Sequence, residues 1–186
     1  MHAFFLKFLF VFFIILIQNL LFNSRINTQN SVFDGENIYK IFLNVVILAP
    51  LIEEFVFRYH LRLKFKNVVF SAIASIVLFH DSFLKLSLIL LYFLTIFVFL
   101  KSDIEVKRLI LVFVSSFMFA VLHLDFAESY ISFEYSIFVF LPHFFGALVY
   151  CYVFFKKGIF VSIMLHIIWN LVGFLSFLLK TKLLEF

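Results

Sequence analysis

The stretch Ala49-Pro50-Leu51-Ile52-Glu53-Glu54-Phe55-Val56-Phe57-Arg58 lies well inside an apolar run from about residue 38 to residue 62. A helix needs about 20 mostly apolar residues to cross a bilayer, so this run is long enough. A charge at mid-membrane costs roughly 2.5–3.5 kcal/mol on insertion scales, and such groups face a bundle interior or a wet cavity. On a helix, Glu54 and Arg58 share a face because they are four residues apart. Glu53 is rotated from them by about 100°. The pattern therefore gives the two glutamates different surroundings, with Glu54 paired to Arg58 and Glu53 left to act as an acid or base. The competing reading is a structural salt bridge near the interface, with Arg58 snorkelling to the headgroups. Pro50 lacks a backbone donor and kinks a helix or starts a new one.

The rest of the chain reads the same way. Of its 186 residues, 65% are hydrophobic, and the mean hydropathy is +1.16. Soluble domains are usually about half apolar. The sequence predicts an all-α, polytopic transmembrane helix bundle, one domain over residues 1–186. It has about seven spans, near 3–22, 38–62, 67–80, 83–101, 108–124, 135–155 and 158–180. The first is too long for a signal-peptide h-region and no small-residue cleavage site follows, so it reads as a retained helix. The third is short, and is either re-entrant or a hairpin partner of the fourth.

The net charge is +4. Lys7, Arg62, Lys64, Lys66, Lys101, Lys107, Arg108, Lys156 and Lys157 fall on one side of this topology. Arg25, Lys40, Lys85, Lys180 and Lys182 fall on the other. This bias predicts a cytoplasmic N-terminus and a membrane-lipid partner rather than nucleic acid. Abundant Phe, Ile, Lys and Asn suggest an AT-rich genome, hence a bacterial inner membrane. The single cysteine, Cys151, cannot form an intrachain disulfide.

Nine of the acidic residues fall in or beside predicted loops: Asp34, Glu36, Asp81, Asp103, Glu105, Asp125, Glu128, Glu134 and Glu185. Only Glu53 and Glu54 lie within a span. Two of the histidines within spans stand in informative patterns. His123 closes the run Ser115-Ser116-Phe117-Met118-Phe119-Ala120-Val121-Leu122-His123, and His166 shares a helix face with Asn170. Intramembrane histidines often serve only as helix-packing hydrogen bonders. Of the others, His2 and His60 lie near chain or helix ends, His80 precedes Asp81 at a predicted turn, and His143 follows Pro142 in the sixth span.

A carboxylate and an imidazole in a wet cavity can activate water. A second imidazole and an amide can donate to a developing oxyanion. Glu53, His123 and His166 could also hold zinc, although no HExxH sequence is present. No GxSxG and no glycine-rich phosphate loop is present. Non-hydrolytic readings also fit these residues: an ion or proton pathway through Glu53, Glu54 and His123, or a non-catalytic scaffold.

Taken in order, Glu53-Glu54-Phe55-Val56-Phe57-Arg58, Phe119 to His123, and His166 to Asn170 form the motifs EExxxR, FxxxH and HxxxN. With Ala49-Pro50 before the first motif, and Gly146, Lys157-Gly158 and Ser162 before the last, the chain resembles the CPBP intramembrane proteases. That family includes type II CAAX prenyl endopeptidases and bacteriocin-processing or immunity proteins. The resemblance covers residues 49–170 and implies a metalloprotease-like or metal-free endopeptidase acting on a membrane-associated peptide or protein. It implies that Glu53 and His123 activate the water, His166 and Asn170 stabilise the oxyanion, and Glu54 and Arg58 support the site. An immunity or scaffold role is the alternative within the family.

The chain departs from the pattern at Tyr59 and Ala120, where glycines are usual. Its separation of Glu53 and His123 is also long, which implies a two-span insertion over residues 67–101 unless His80 takes the place of His123. Helix rise counted from the predicted span starts puts His123 and His166 roughly 10 Å apart in depth.

Overall fold

A computed structural model describes residues 37–101, 108–124 and 133–184. The predicted first span, 3–22, and nearly all of the polar loop after it lie outside the described residues. All regular elements among the described residues are helical. The chain enters through α1, Ile38–Ile41, which Asn37 caps by accepting from the Tyr39 N–H. It widens into a π-helical segment, Phe42–Leu48, and tightens again into α2, Ala49–Phe57. A 3₁₀ turn, Tyr59–Arg62, follows. The remaining helices are α3 (Phe65–Phe79), α4 (Phe83–Lys101), α5 (Arg108–Leu122), α6 (Phe133–Lys157) and α7 (Ile159–Leu184).

The expected count of about seven spans is not confirmed. Among the described residues, three helices are long and apolar enough to cross a membrane: Phe83–Lys101, Ser136–Lys157 and Ile159–Ser176. The apolar helices α3 and α5 have 15 residues each, about 22 Å of rise against a core of roughly 30 Å. The run 38–62 is one helical path, but it changes winding three times. The three long helices bury at most 33% of their apolar windows inside the bundle. Large side chains such as Phe65, Ile73, Leu91, Leu109 and Phe160 face outward. Lipid accepts such a surface and water does not, so this is an integral membrane protein.

The middle of the bundle is α2, packed against α3, α5 and α7. Its C-terminal end is buried, with Val56, Phe57, Arg58, His60 and Leu61 essentially inaccessible. The last carbonyls of a helix have no intrahelical donor, and inside a membrane no water replaces it. Side chains supply the missing donors here. Ser71 Oγ donates to Phe55 O at 2.6 Å and Ser115 Oγ to Phe57 O at 2.6 Å. His60 Nδ1 donates to Val56 O at 2.9 Å, so its Nε2 accepts from Tyr92 Oη at 2.6 Å. The α3–α4 hairpin is thus fastened to the outer side of α2, and Ile89, Phe93 and Ile96 extend the apolar core there.

The Arg62 guanidinium lies over Phe154 at 5.3 Å and that of Arg108 over Phe155 at 5.6 Å. These contacts gather Arg62, Arg108 and the Lys156-Lys157 pair at one end of the bundle.

Helix α7 folds back along α6 through Gly158 alone, at φ +90°. Only glycine adopts this left-handed conformation at little cost. A Cβ there would meet nothing within 4 Å, so the constraint is the backbone and not space. Gly158→Ala is expected to cost about 1–2 kcal/mol, read as a lower unfolding midpoint in detergent micelles. An unchanged midpoint would contradict this reading of the turn.

Candidate active site

The two adjacent glutamates separate as their helical offset requires. Glu54 points into the bundle and is fully buried. Its Oε1 lies 3.5 Å from Arg58 Nε and 3.0 Å from His166 Nδ1. Its Oε2 accepts from Ser162 Oγ at 2.5 Å. Arg58 does not snorkel, because it too is fully buried. Its guanidinium carbon stands 4.6 Å from the Phe119 ring centroid and 5.3 Å from that of Tyr150. Aromatic faces, together with Glu54, hold this cation away from water.

Glu53 points the other way, into a cavity of about 540 Å³. Glu53, His123, His166 and Asn170 all line this cavity. His123 Nε2 is 3.7 Å from Glu53 Oε1, and His166 Nε2 is 3.5 Å from Glu53 Oε2. Both exceed an ordinary hydrogen bond, and a water that touches carboxylate and ring together would sit off the line between them, in the cavity. His80 lies exposed, 3.1 Å from Val77 O, and does not line the cavity. Of the two candidate histidines, His123 lines the cavity. The expected depth offset between His123 and His166 does not keep them apart, since both reach one carboxylate.

Each ring is held by a defined partner. His123 Nδ1 donates to Phe119 O at 2.7 Å. A carbonyl only accepts, so the proton sits on Nδ1 and a neutral ring presents Nε2 as an acceptor. His166 Nδ1 donates to Glu54, and the ring stacks on Tyr150 with centroids 4.5 Å apart. Asn170 Nδ2 donates to Val45 O at 2.9 Å. In the π-helical register the Ala49 N–H bonds Asn44 O. The next donor in that register would be residue 50, and Pro50 has none. Asn170 thus satisfies the carbonyl that Pro50 leaves open.

Zinc fits these residues poorly. The two imidazoles approach opposite oxygens of Glu53. Among the described residues, no group of three or more His, Cys, Asp or Glu side chains is arranged to hold a metal ion. The possible zinc set of Glu53, His123 and His166, and with it the metalloprotease-like description, gains no support.

Sequence reasoning missed Tyr150, whose ring and carbonyl help shape the site, because nothing in its local pattern marks it. It noted His143 without giving it a role. His143 also lines the cavity, and the proline before it was the available signal.

A family model described as type II CAAX prenyl endopeptidase Rce1-like matches residues 35–172, well over half of the chain. No curated protein and no solved structure matches it.

The geometry separates the two glutamates by experiment. Removing one partner of a buried ion pair costs about 3–5 kcal/mol, so Glu54→Gln should unfold far more readily than the parent in detergent. Glu53→Gln, at the cavity wall, should stay within about 1 kcal/mol. Equal losses in a thermal-unfolding comparison would refute the division of labour.

Proposed function

Because the chain belongs to the type II CAAX prenyl endopeptidase Rce1-like family, we propose that it hydrolyses a peptide bond of a membrane-associated protein or peptide substrate at the Glu53 cavity. One observation carries this reading. Glu53 and two imidazoles from separate parts of the chain meet at 3.5 and 3.7 Å on the wall of a cavity of about 540 Å³, large enough to admit water.

In this mechanism the water donates one hydrogen to Glu53 Oε1 and the other to His123 Nε2, which leaves an oxygen lone pair for attack. As the new C–O bond forms, the water proton passes to Glu53. The carbonyl π pair moves onto oxygen, where His166 Nε2 and the second N–H of Asn170 receive it. His166 already gives its Nδ1 proton to Glu54, so donation from Nε2 requires the doubly protonated ring. The carboxylates on either side of that ring, Glu54 and Glu53, balance its charge. The oxyanion pair then re-forms the C=O as the C–N bond breaks, and Glu53 gives its proton to the leaving nitrogen. This releases a carboxylic acid and an amine, between which the acid's remaining proton passes to give carboxylate and ammonium.

The three motifs leave residues 67–101 outside the chemistry, and we read the α3–α4 hairpin as an addition to a smaller catalytic bundle. A pair of antiparallel helices preserves the sense in which α5 approaches α2.

The test is cleavage of a panel of membrane-inserted peptides by purified protein in nanodiscs, read by mass spectrometry. General acid–base groups contribute about 10²–10⁴-fold, so Glu53→Gln and His123→Ala should each lower kcat by at least about a hundredfold with the fold intact. Cleavage that survives Glu53→Gln, or a folded parent that cleaves no peptide, would overturn the proposal.

A further inference from the structure

His123 is weakly anchored by its backbone. Helix α5 ends at Leu122, and the chain turns immediately, with the His123 N–H on Ala120 O at 3.2 Å and the Leu124 N–H on Val121 O at 3.0 Å. Its side chain is 28% exposed to the cavity. Glu53 does not hold the ring, because 3.7 Å is too long for a direct hydrogen bond. Yet water activation needs Nε2 aimed at the cavity position beside the Glu53 carboxylate. Ring contacts must therefore fix its orientation. One is Phe119, whose carbonyl takes the Nδ1 proton and whose ring centroid lies 4.3 Å away. The other is His143 on α6, also 4.3 Å away and stacked at an interplanar angle of 25°.

His143 is itself held still. Its Nδ1 donates to Val139 O at 2.6 Å, one turn back on its own helix. Pro142 stands directly before it inside α6. The missing proline N–H and the clash of its ring with the preceding turn bend a helix at such a point. Pro142 also lines the cavity.

We propose that His143 is a positioning residue of the site, the flat surface against which the His123 ring is held so that Nε2 faces Glu53. It acts through its ring face and takes no proton from substrate or water. This inference rests on the hydrolytic reading for its kinetic consequence and on the ring geometry alone for its structural one.

The experiment compares the parent with His143→Ala and His143→Phe in nanodiscs. Displacing a reacting group by about 1 Å can cost about a hundredfold. His143→Ala is expected to lower kcat by at least about tenfold and leave KM within about twofold, because substrate contacts are retained. His143→Phe keeps a flat ring and should restore most of that loss. Nitrogen-15 imidazole NMR of the same proteins gives a readout that needs no turnover. His123 should show a single Nδ1–H tautomer in the parent and in His143→Phe, and a mixture in His143→Ala.

Unchanged kcat and unchanged His123 resonances in His143→Ala would overturn the proposal. So would a folded His143→Phe that is as impaired as His143→Ala, since the nitrogens rather than the ring face would then matter. If His143→Ala does not fold, the His143→Phe spectrum decides, with loss of the single tautomer as the refuting result. If the parent cleaves nothing, the hydrolytic reading fails, and the imidazole resonances still decide this one.

Discussion

The architecture depends on removing the Glu54 carboxylate entirely from water without leaving it unpaired. Burying an ion in a low-dielectric interior costs several kcal/mol even after relaxation, and only good geometry with further hydrogen bonds offsets that. Here α2 supplies Arg58 one turn away, and α7 supplies Ser162 and His166, which are themselves one turn apart. The two helices are thus joined along facing i, i+4 rows. The bond that orients His166 is the same bond that makes Glu54 tolerable, so the stability of the bundle and the placement of a site imidazole are one interaction.

Phe119 carries this arrangement to a third helix. Its ring contacts the Arg58 guanidinium at 4.6 Å and the His123 ring at 4.3 Å. A cation with few hydrogen-bonding partners favours an aromatic face, and a residue four positions before His123 on α5 is where such a face can serve both groups. The aromatic residue of the FxxxH motif therefore has a physical reason. It links the buried charge behind the site to the ring at its front, and His143 extends the stack to α6.

The sequence made the chemistry legible where a cost had to be explained. Two carboxylates inside an apolar run had to find partners, and an offset of one residue forced different ones. His166 and Asn170 were legible from shared-face spacing, although the bond from Asn170 to Val45 O required knowing that residues 42–48 wind as a π-helix. Hydropathy cannot reveal that, because the wider winding leaves composition unchanged. Span count was less legible for a similar reason. Apolar content marks α3 and α5 as membrane-embedded, but their length of 15 residues each is set by where turns form. The estimate of helix depth assumed parallel rods of equal start. Rings that meet one carboxylate from different counted depths show that the helices are not cut at a common level.

The α3–α4 hairpin follows from the same constraint that governs Glu54. Helix α2 ends inside the bundle so that Glu54 and Arg58 can be buried, and a helix that ends there strands its last carbonyls. Water would satisfy them at a surface, but lipid cannot. Ser71 from α3, Ser115 from α5, and His60 with Tyr92 from α4 provide the donors. A hairpin that contributes nothing to the cavity still supports it, because without these donors α2 would have to run on to the membrane surface. Arg58 would then lie on a continuing α-helix rather than at the break where the chain turns into its 3₁₀ segment. The hydroxyls behind α2 thus help fix the break that lets Arg58 meet Phe119, and through Phe119 the ring that faces Glu53.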